Sequence, residues 1–221
     1  MSKTAIVLGA SGAVGSELLN LLLADDRYEK VKLFARSKIN IAHAKIEEHV
    51  IDMFELEKHK DAFTADEVYC CIGTTKAKTP DKDTYRNIDY GIPVAAAKLA
   101  SANGIKTFIV ISAIGADAGS SIFYNRTKGE MQNDVLAESL AKIHILQPSL
   151  ILADRKDNRI VEKVAEGFMW LLNPLLFGGA AKYRSIKAAT IAKAMLWLAN
   201  NNYPDVIVPS DIIEGLGKTT S

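Results

Sequence analysis

The sequence predicts an α/β fold: one doubly wound parallel sheet spanning residues 1–221, with a small C-terminal extension on the substrate side from about residue 150. Three observations carry that reading. Apolar runs alternate with amphipathic stretches, as βαβ units do. The first apolar run ends in glycines spaced G-x-x-G-x-x-G, at Gly9, Gly12 and Gly15. No linker, internal repeat or low-complexity tract divides the chain.

In chain order the candidate strands are Ala5–Leu8, Lys32–Ala35, Ile46–Val50, Glu67–Cys71, Thr107–Ile111, Ile143–Gln147 and Val206–Val208. The candidate helices are Ala13–Ala24, Tyr85–Asn103, Ser121–Leu140, Asn158–Leu172 and Ala188–Asn200. Asp25 to Tyr28 reads as the turn after the first helix, and Ser120 or Ser121 as the cap of the third. Asp81 and Asp83 read as surface residues of a polar loop. Right-handed crossovers between parallel strands place a ligand crevice at the carboxyl ends of the strands.

Composition narrows the class. Apolar residues make up 48% of the chain, enough for a sizeable core, and the net charge of +1 gives no electrostatic case for nucleic acid or an anionic membrane. Cys70 and Cys71 are adjacent on a strand and point to opposite faces, so no disulfide framework is expected. They read as buried small residues, since no histidine lies close in sequence. The four histidines show no metal-ligand spacing, so no metal site is expected. The apolar segment Gly167–Gly179 is too short to span a bilayer and is interrupted by Asn173-Pro174. With no signal peptide apparent before the first strand, a cytoplasmic location is expected.

The glycine turn is the first site signal. A strand, a tight glycine turn and a helix N-terminus hold a dinucleotide pyrophosphate through backbone N–H groups. Candidate contacts there are Gly9, Ser11, Gly12, Ala13, Val14 and Gly15. The second signal is Tyr124 with Lys128. An i,i+4 pair shares a helix face, and a lysine cation beside a phenol lowers its pKa, which suits proton exchange with a substrate oxygen. Ser112, just past the strand Thr107–Ile111, has a hydroxyl placed to donate to the same oxygen. At the end of the second strand, Arg36-Ser37-Lys38 replaces the carboxylate that binds a ribose 2′-hydroxyl in NAD sites. Arg36 and Ser37 therefore point to NADPH over NADH; the alternative is a solvated basic turn.

On these residues the chain resembles the short-chain dehydrogenase/reductases, and more narrowly their atypical branch of small NAD(P)H-binding oxidoreductases related to the Tat-interacting protein oxidoreductases. The stretches that carry the resemblance are Gly9–Gly15, Cys70–Thr75, Ser112, Tyr124 with Lys128, and Gln147-Pro148-Ser149 with Asp154-Arg155. It implies a Rossmann fold, bound NADPH and a Ser–Tyr–Lys set at the nicotinamide. It also implies that Asp52 and Met53 flank the adenine, the alternative for Asp52 being a plain turn. Cys71, Ile72 and Gly73 would run beside the cofactor ribose, Pro148 and Ser149 would shape the nicotinamide pocket, and Leu150 and Arg155 would be further cofactor contacts. The family's further Asn has its nearest counterpart in Asn87, off the usual spacing, and its catalytic role stays open.

The leading expectation is an NADPH-dependent carbonyl reductase acting on a small, apolar carbonyl compound. The alternatives are an NADPH-binding, redox-responsive regulatory protein and a nucleotide-sugar epimerase or dehydratase, for which the region after Pro148 is short. The helices Tyr85–Asn103 and Ser121–Leu140 are candidates for a homodimer face.

Overall fold

A computed structural model of the chain describes residues 2–152 and 183–219. Its main sheet has seven strands in the order β3-β2-β1-β4-β5-β6-β9. They are β1 (Lys3–Leu8), β2 (Tyr28–Ala35), β3 (Ile46–Val50), β4 (Glu67–Cys70), β5 (Thr107–Ile111), β6 (Lys142–Gln147) and β9 (Ile207–Pro209). Every neighbouring pair is parallel. A two-stranded parallel ribbon, β7 (Ile151–Leu152) with β8 (Ile186–Lys187), lies beside it. This is the expected doubly wound Rossmann-type sheet. The predicted helix Asn158–Leu172, the apolar segment Gly167–Gly179, Asp154 and Arg155 lie outside the described residues.

Burial explains the sheet. β5 is Thr-Phe-Ile-Val-Ile and buried throughout, as a central parallel strand covered on both faces must be. The edge strand β3, Ile-Glu-Glu-His-Val, is only partly buried and carries charge, which discourages pairing with another chain. One face is covered by α1 (Ala13–Ala24) and α5 (Ala188–Asn200), whose buried residues form one core with Val7, Leu33 and Ile109. Leu18, Leu19 and Leu22 give α1 its inward face. The other face is covered by a 3-10 turn (Met53–His59), α3 (Ile92–Ala102) and α4 (Phe123–Leu136), packed over Ile6, Phe34, Val68 and Phe108. A last helix, α6 (Ser210–Thr219), packs on α5.

Several boundaries differ from the expectation. β2 begins at Tyr28, which is fully buried and so belongs to the strand and not the turn before it. Asp81 and Asp83 are exposed, as expected, but they belong to a helix start and not to a loop: the Asp81 carboxylate accepts from Thr84 N at 2.8 Å and caps α2 (Lys82–Arg86), which contains Asp83. The helix predicted over Tyr85–Asn103 is in fact α2, a π turn (Asn87–Gly91) and α3 in continuous helical backbone. The helix predicted over Ser121–Leu140 is shorter. Its first turn is preceded by Ile122, while Ser120 Oγ accepts from Ile122 N at 3.1 Å in the loop.

At the amino end of the sheet a buried polar cluster ties four elements together. Glu67, 2% exposed, accepts from Lys3 Nζ at 2.6 Å, Tyr28 OH at 2.6 Å and Tyr69 OH at 2.7 Å. Asn200, at the end of α5, donates to Tyr28 OH and accepts from Lys3. Lys142 adds its ammonium to the carbonyls of Ala199 and Asn201, where the helix C-terminus favours a cation. Every partner is satisfied, the condition under which buried polar groups cost little. The cluster braces the end of the sheet opposite to the candidate site.

Candidate functional site

Because the strands run parallel and in register, the residues just past their carboxyl ends share one rim. Leu8 pairs with Phe34 and Cys70, Cys70 with Val110, and Ile111 with Leu146. The rim therefore carries Gly9, Arg36, Asp52, Cys71–Gly73, Ser112 and Pro148–Leu150. The direction of the chain reverses around β1 and β4, where an open α/β sheet leaves its crevice.

The glycine turn is built tightly. Gly9 has φ +82°, and a Cβ there would lie 2.8 Å from the Cys71 carbonyl oxygen. A Cβ at Gly15 would lie 2.1 Å from the Gly9 carbonyl oxygen, so only glycine lets α1 press onto the turn. Gly12 N donates to Gly9 O at 2.8 Å, and no side chain caps the α1 N-terminus. Ser11 is exposed, Ala13 is partly buried and Val14 is buried in the core behind the turn. The turn thus offers a helix N-terminus uncovered by side-chain caps, which fits the pyrophosphate of a dinucleotide.

Along the rim, Arg36 and Ser37 are exposed at the end of β2, and no ion pair involves Arg36 among the described residues. Asp52 Oδ1 accepts from Phe54 N at 2.9 Å and caps the 3-10 turn, while Met53 is buried in the core. Cys71 is half-buried with its sulfur 3.9 Å from Met195 Sδ, and Cys70 is fully buried. Burial raises both thiols, Cys70 to about 11.

The Ser112 side is held by α4. Tyr124, Lys128 and Gln132 recur every four residues and share one helix face. Gln132 Nε2 donates to Ser112 Oγ at 2.6 Å, and Gln147 Nε2 donates to Gln132 Oε1 at 3.1 Å. Ser112 is 5% exposed and its N donates to Leu146 O at 2.7 Å. The loop before α4 is pinned at Gly129, where a Cβ would meet the Asp117 and Ala118 backbone within 2.7 Å. Asp117 N also donates to Asn125 O. Ser149 is bound into the fold by its own hydrogen bonds: its N donates to Ser210 Oγ, its hydroxyl to the Arg184 carbonyl. Pro148 is buried, its carbonyl accepting from Ile114 N at 3.0 Å, and Leu150 is exposed.

Lys128 departs from the expectation. Its ammonium, almost wholly buried, lies 2.7 Å from Asp89 Oδ1 in the π turn. Asp89 is 1% exposed, and its other oxygen accepts from Thr74 N at 2.8 Å. Asn87, two residues earlier, is exposed. Tyr124 is 39% exposed with its ring 6.4 Å from that of Tyr85. Loss of water around the phenol, and then the Asp89 charge, push the Tyr124 pKa up to about 12. A lysine-lowered phenol is therefore not what this arrangement contains. Asp89, Gln132 and Tyr85 were not read as site residues from sequence. Gln132 had a signal, since it continues the Tyr124–Lys128 spacing by one turn; Asp89 is brought in by the π turn and the packing of two helices.

A family model described as NAD(P)H-binding matches residues 9–169. The chain is 32% identical over 199 residues to protein HTATIP2 of Rattus norvegicus, covering 88% of this chain and 80% of the relative. It is 33% identical over 184 residues to the mitochondrial protein FMP52-1 of Scheffersomyces stipitis, covering 80% of each. Among solved structures, the enzyme WbmG of Bordetella bronchiseptica in complex with NAD superposes with TM-score 0.69 at 12% identity, over 100% of this chain and 77% of that one. A wide-type short-chain dehydrogenase/reductase of Veillonella parvula in complex with NADP gives 0.63 at 16% identity, over 92% and 89%. At such identities these structures speak for the fold.

Proposed function

The chain belongs to the NAD(P)H-binding family, as an atypical short-chain dehydrogenase/reductase related to HTATIP2 and FMP52, and on that footing we propose that it is an NADPH-dependent reductase of a small carbonyl compound. The observation that carries the reading is the α4 face: Tyr124, Lys128 and Gln132 in a row, with Gln132 holding the Ser112 hydroxyl at 2.6 Å on the strand-end rim.

The glycine turn from Gly9 to Gly15 takes the pyrophosphate. Arg36, with Ser37 beside it, takes the ribose 2′-phosphate through charge-assisted bonds. Gly73 brings the loop backbone close to the Lys128–Asp89 pair, since a Cβ there would already be in contact with Asp89 Oδ1 at 3.6 Å and Lys128 Nζ at 3.9 Å, and the ribose is taken up along this stretch of backbone. When bound, NADPH supplies hydride to the substrate carbon. Tyr124, protonated well above neutral pH, gives its proton to the substrate oxygen. Ser112 donates to that same oxygen, and Gln132 keeps its hydroxyl oxygen engaged so that the hydroxyl hydrogen is directed outward. Lys128 sits behind Tyr124 on the same helix face and offers its remaining N–H donors to ribose hydroxyls.

One observation favours a second reading, a cofactor-responsive binding protein: the Lys128 charge is already compensated by Asp89, which weakens its activation of Tyr124. Titrating NADPH and NADH into the purified protein, then following loss of reduced nicotinamide against a carbonyl panel, separates the two. Saturable NADPH binding with turnover supports the reductase; binding without turnover across the panel supports the second reading.

A further inference from the structure

We propose that Asp89 is the positioning residue of this site: its carboxylate clamps the Lys128 ammonium beneath the Gly73–Thr74 loop, so that Lys128 works as half of an ion pair. The inference rests on the reductase reading for its purpose, but its geometry stands apart from it. Asp89 ties two further elements to its own. It approaches Lys128 Nζ on α4 at 2.7 Å and accepts from Thr74 N after β4 at 2.8 Å, from its own place in the π turn. Thr74 O in turn accepts from Tyr85 OH at 3.3 Å. A Cβ at Gly73 would lie 3.6 Å from Asp89 Oδ1 and 3.9 Å from Lys128 Nζ, so the pair lies directly under the loop that borders the crevice.

The alignment of two parallel helices puts the pair there. Arg86 pairs with Glu130, and Tyr90 OH donates to Asp134. The guanidinium of Arg86 stacks 4.2 Å above the Tyr90 ring. These contacts, one turn apart on both helices, hold the interface in register on its outer side and bring Asp89 against Lys128 on its inner side. Asp89 Oδ1 has no aligned hydrogen-bond donor among the described residues, so the contact with Lys128 is ionic and not a saturated network. A buried carboxylate tolerates that only beside a cation. π turns recur at functional sites, and this one places a buried carboxylate two residues after Asn87, the counterpart that the family resemblance implies for a neutral Asn.

For Tyr124 the consequence is electrostatic. The groups that bear on it are Tyr85 from α2 and Asp89 from the π turn, with Lys128 one turn further along α4 in the ion pair, Cys70 of β4 beside that pair and Lys82 over the neighbouring Phe123 ring. With Asp89 in place the phenol holds its proton, the state that donates to a carbonyl oxygen. Without it, the unpaired ammonium would favour the phenolate.

The test is the titration of Tyr124 in the protein without cofactor or substrate, read by NMR of ring-labelled tyrosine and assigned with Tyr124→Phe. Asp89→Asn keeps an acceptor for Thr74 N and should lower the Tyr124 midpoint by about one pH unit or more. Lys128→Met should leave it at or above the wild-type value. The double variant Asp89→Asn/Lys128→Met replaces the pair with neutral groups and keeps the comparison open if the single Asp89 variant does not fold. Its midpoint should fall below that of Lys128→Met, because only the carboxylate differs. Equal midpoints for Lys128→Met and the double variant would overturn the proposal. Because no substrate is present, a protein without turnover can still pass this test, and an active one can still fail it.

Discussion

Arg36 is exposed at the end of β2, in the position where an acidic residue would turn away a 2′-phosphate. A charge-assisted contact to a partly exposed phosphate contributes roughly 1.5–3 kcal/mol. Arg36→Ala should therefore weaken NADPH binding about ten- to a hundredfold and leave NADH nearly untouched, measured by calorimetry with both cofactors. Equal losses would show that the guanidinium does not read the phosphate. At the far side of the sheet, His144 is 2% exposed, its Nδ1 is 3.0 Å from the Asp205 carbonyl oxygen, and its Nε2 has no partner. Burial lowers its pKa, so the unfolded chain binds the extra proton more readily than the folded one. The sign follows: stability is complete above the unfolded value of about 6.5 and declines as pH falls through the lower folded value. Melting temperature should fall through that acid window, and His144→Gln should flatten that part of the profile. An identical slope in wild type and variant would remove His144 from the account.

At the scale of elements, the β1–turn–α1 unit is the most constrained part of the site. Its prediction follows from a missing atom: a methyl at Gly15 would stand 2.1 Å from the Gly9 carbonyl, against backbone that cannot rotate away. Gly15→Ala should cost about 1–3 kcal/mol or more by overpacking and should weaken NADPH and NADH alike, a loss of both melting temperature and affinity. A variant as stable as wild type would mean that α1 does not need this approach. Gly12 is subtler, since a Cβ there would lie 3.0 Å from the same carbonyl. A bulky Gly12 variant would thus disturb the turn as well as the ligand's space. This unit was legible in sequence because glycine spacing encodes backbone approach directly. α1, α5, β3 and β5 were read to their residue limits, since apolar periodicity and burial coincide there. The helix over residues 82–102 was less so. Its α2 start depends on the Asp81 cap, and its π turn reflects packing against α4. The ion pair at Asp89 was invisible for that reason: nothing local marks a carboxylate whose partner is 39 residues away, in a neighbouring helix.

For the whole molecule, the fold divides its polar chemistry between the two ends of one sheet. The amino end carries the saturated Glu67–Tyr28–Tyr69–Lys3–Asn200 cluster, in which every member finds a partner. The carboxyl end carries Ser112, Gln132, Tyr124, Lys128 and Asp89, with Tyr124 39% exposed and Asp89 Oδ1 short of a donor. Alternation of strands and helices made the parallel sheet legible; the strand order and the amino-end cluster were not, because both depend on contacts between segments far apart in the chain. The central claim is that the carboxyl-end cluster donates a proton during reduction. The most direct measurement is NADPH-dependent turnover of a carbonyl substrate by wild type and Tyr124→Phe, with NADPH affinity determined for each. The account predicts unchanged affinity and a loss of roughly 10²–10⁴-fold in turnover; a Tyr124→Phe protein that reduces the substrate as fast as wild type would contradict it.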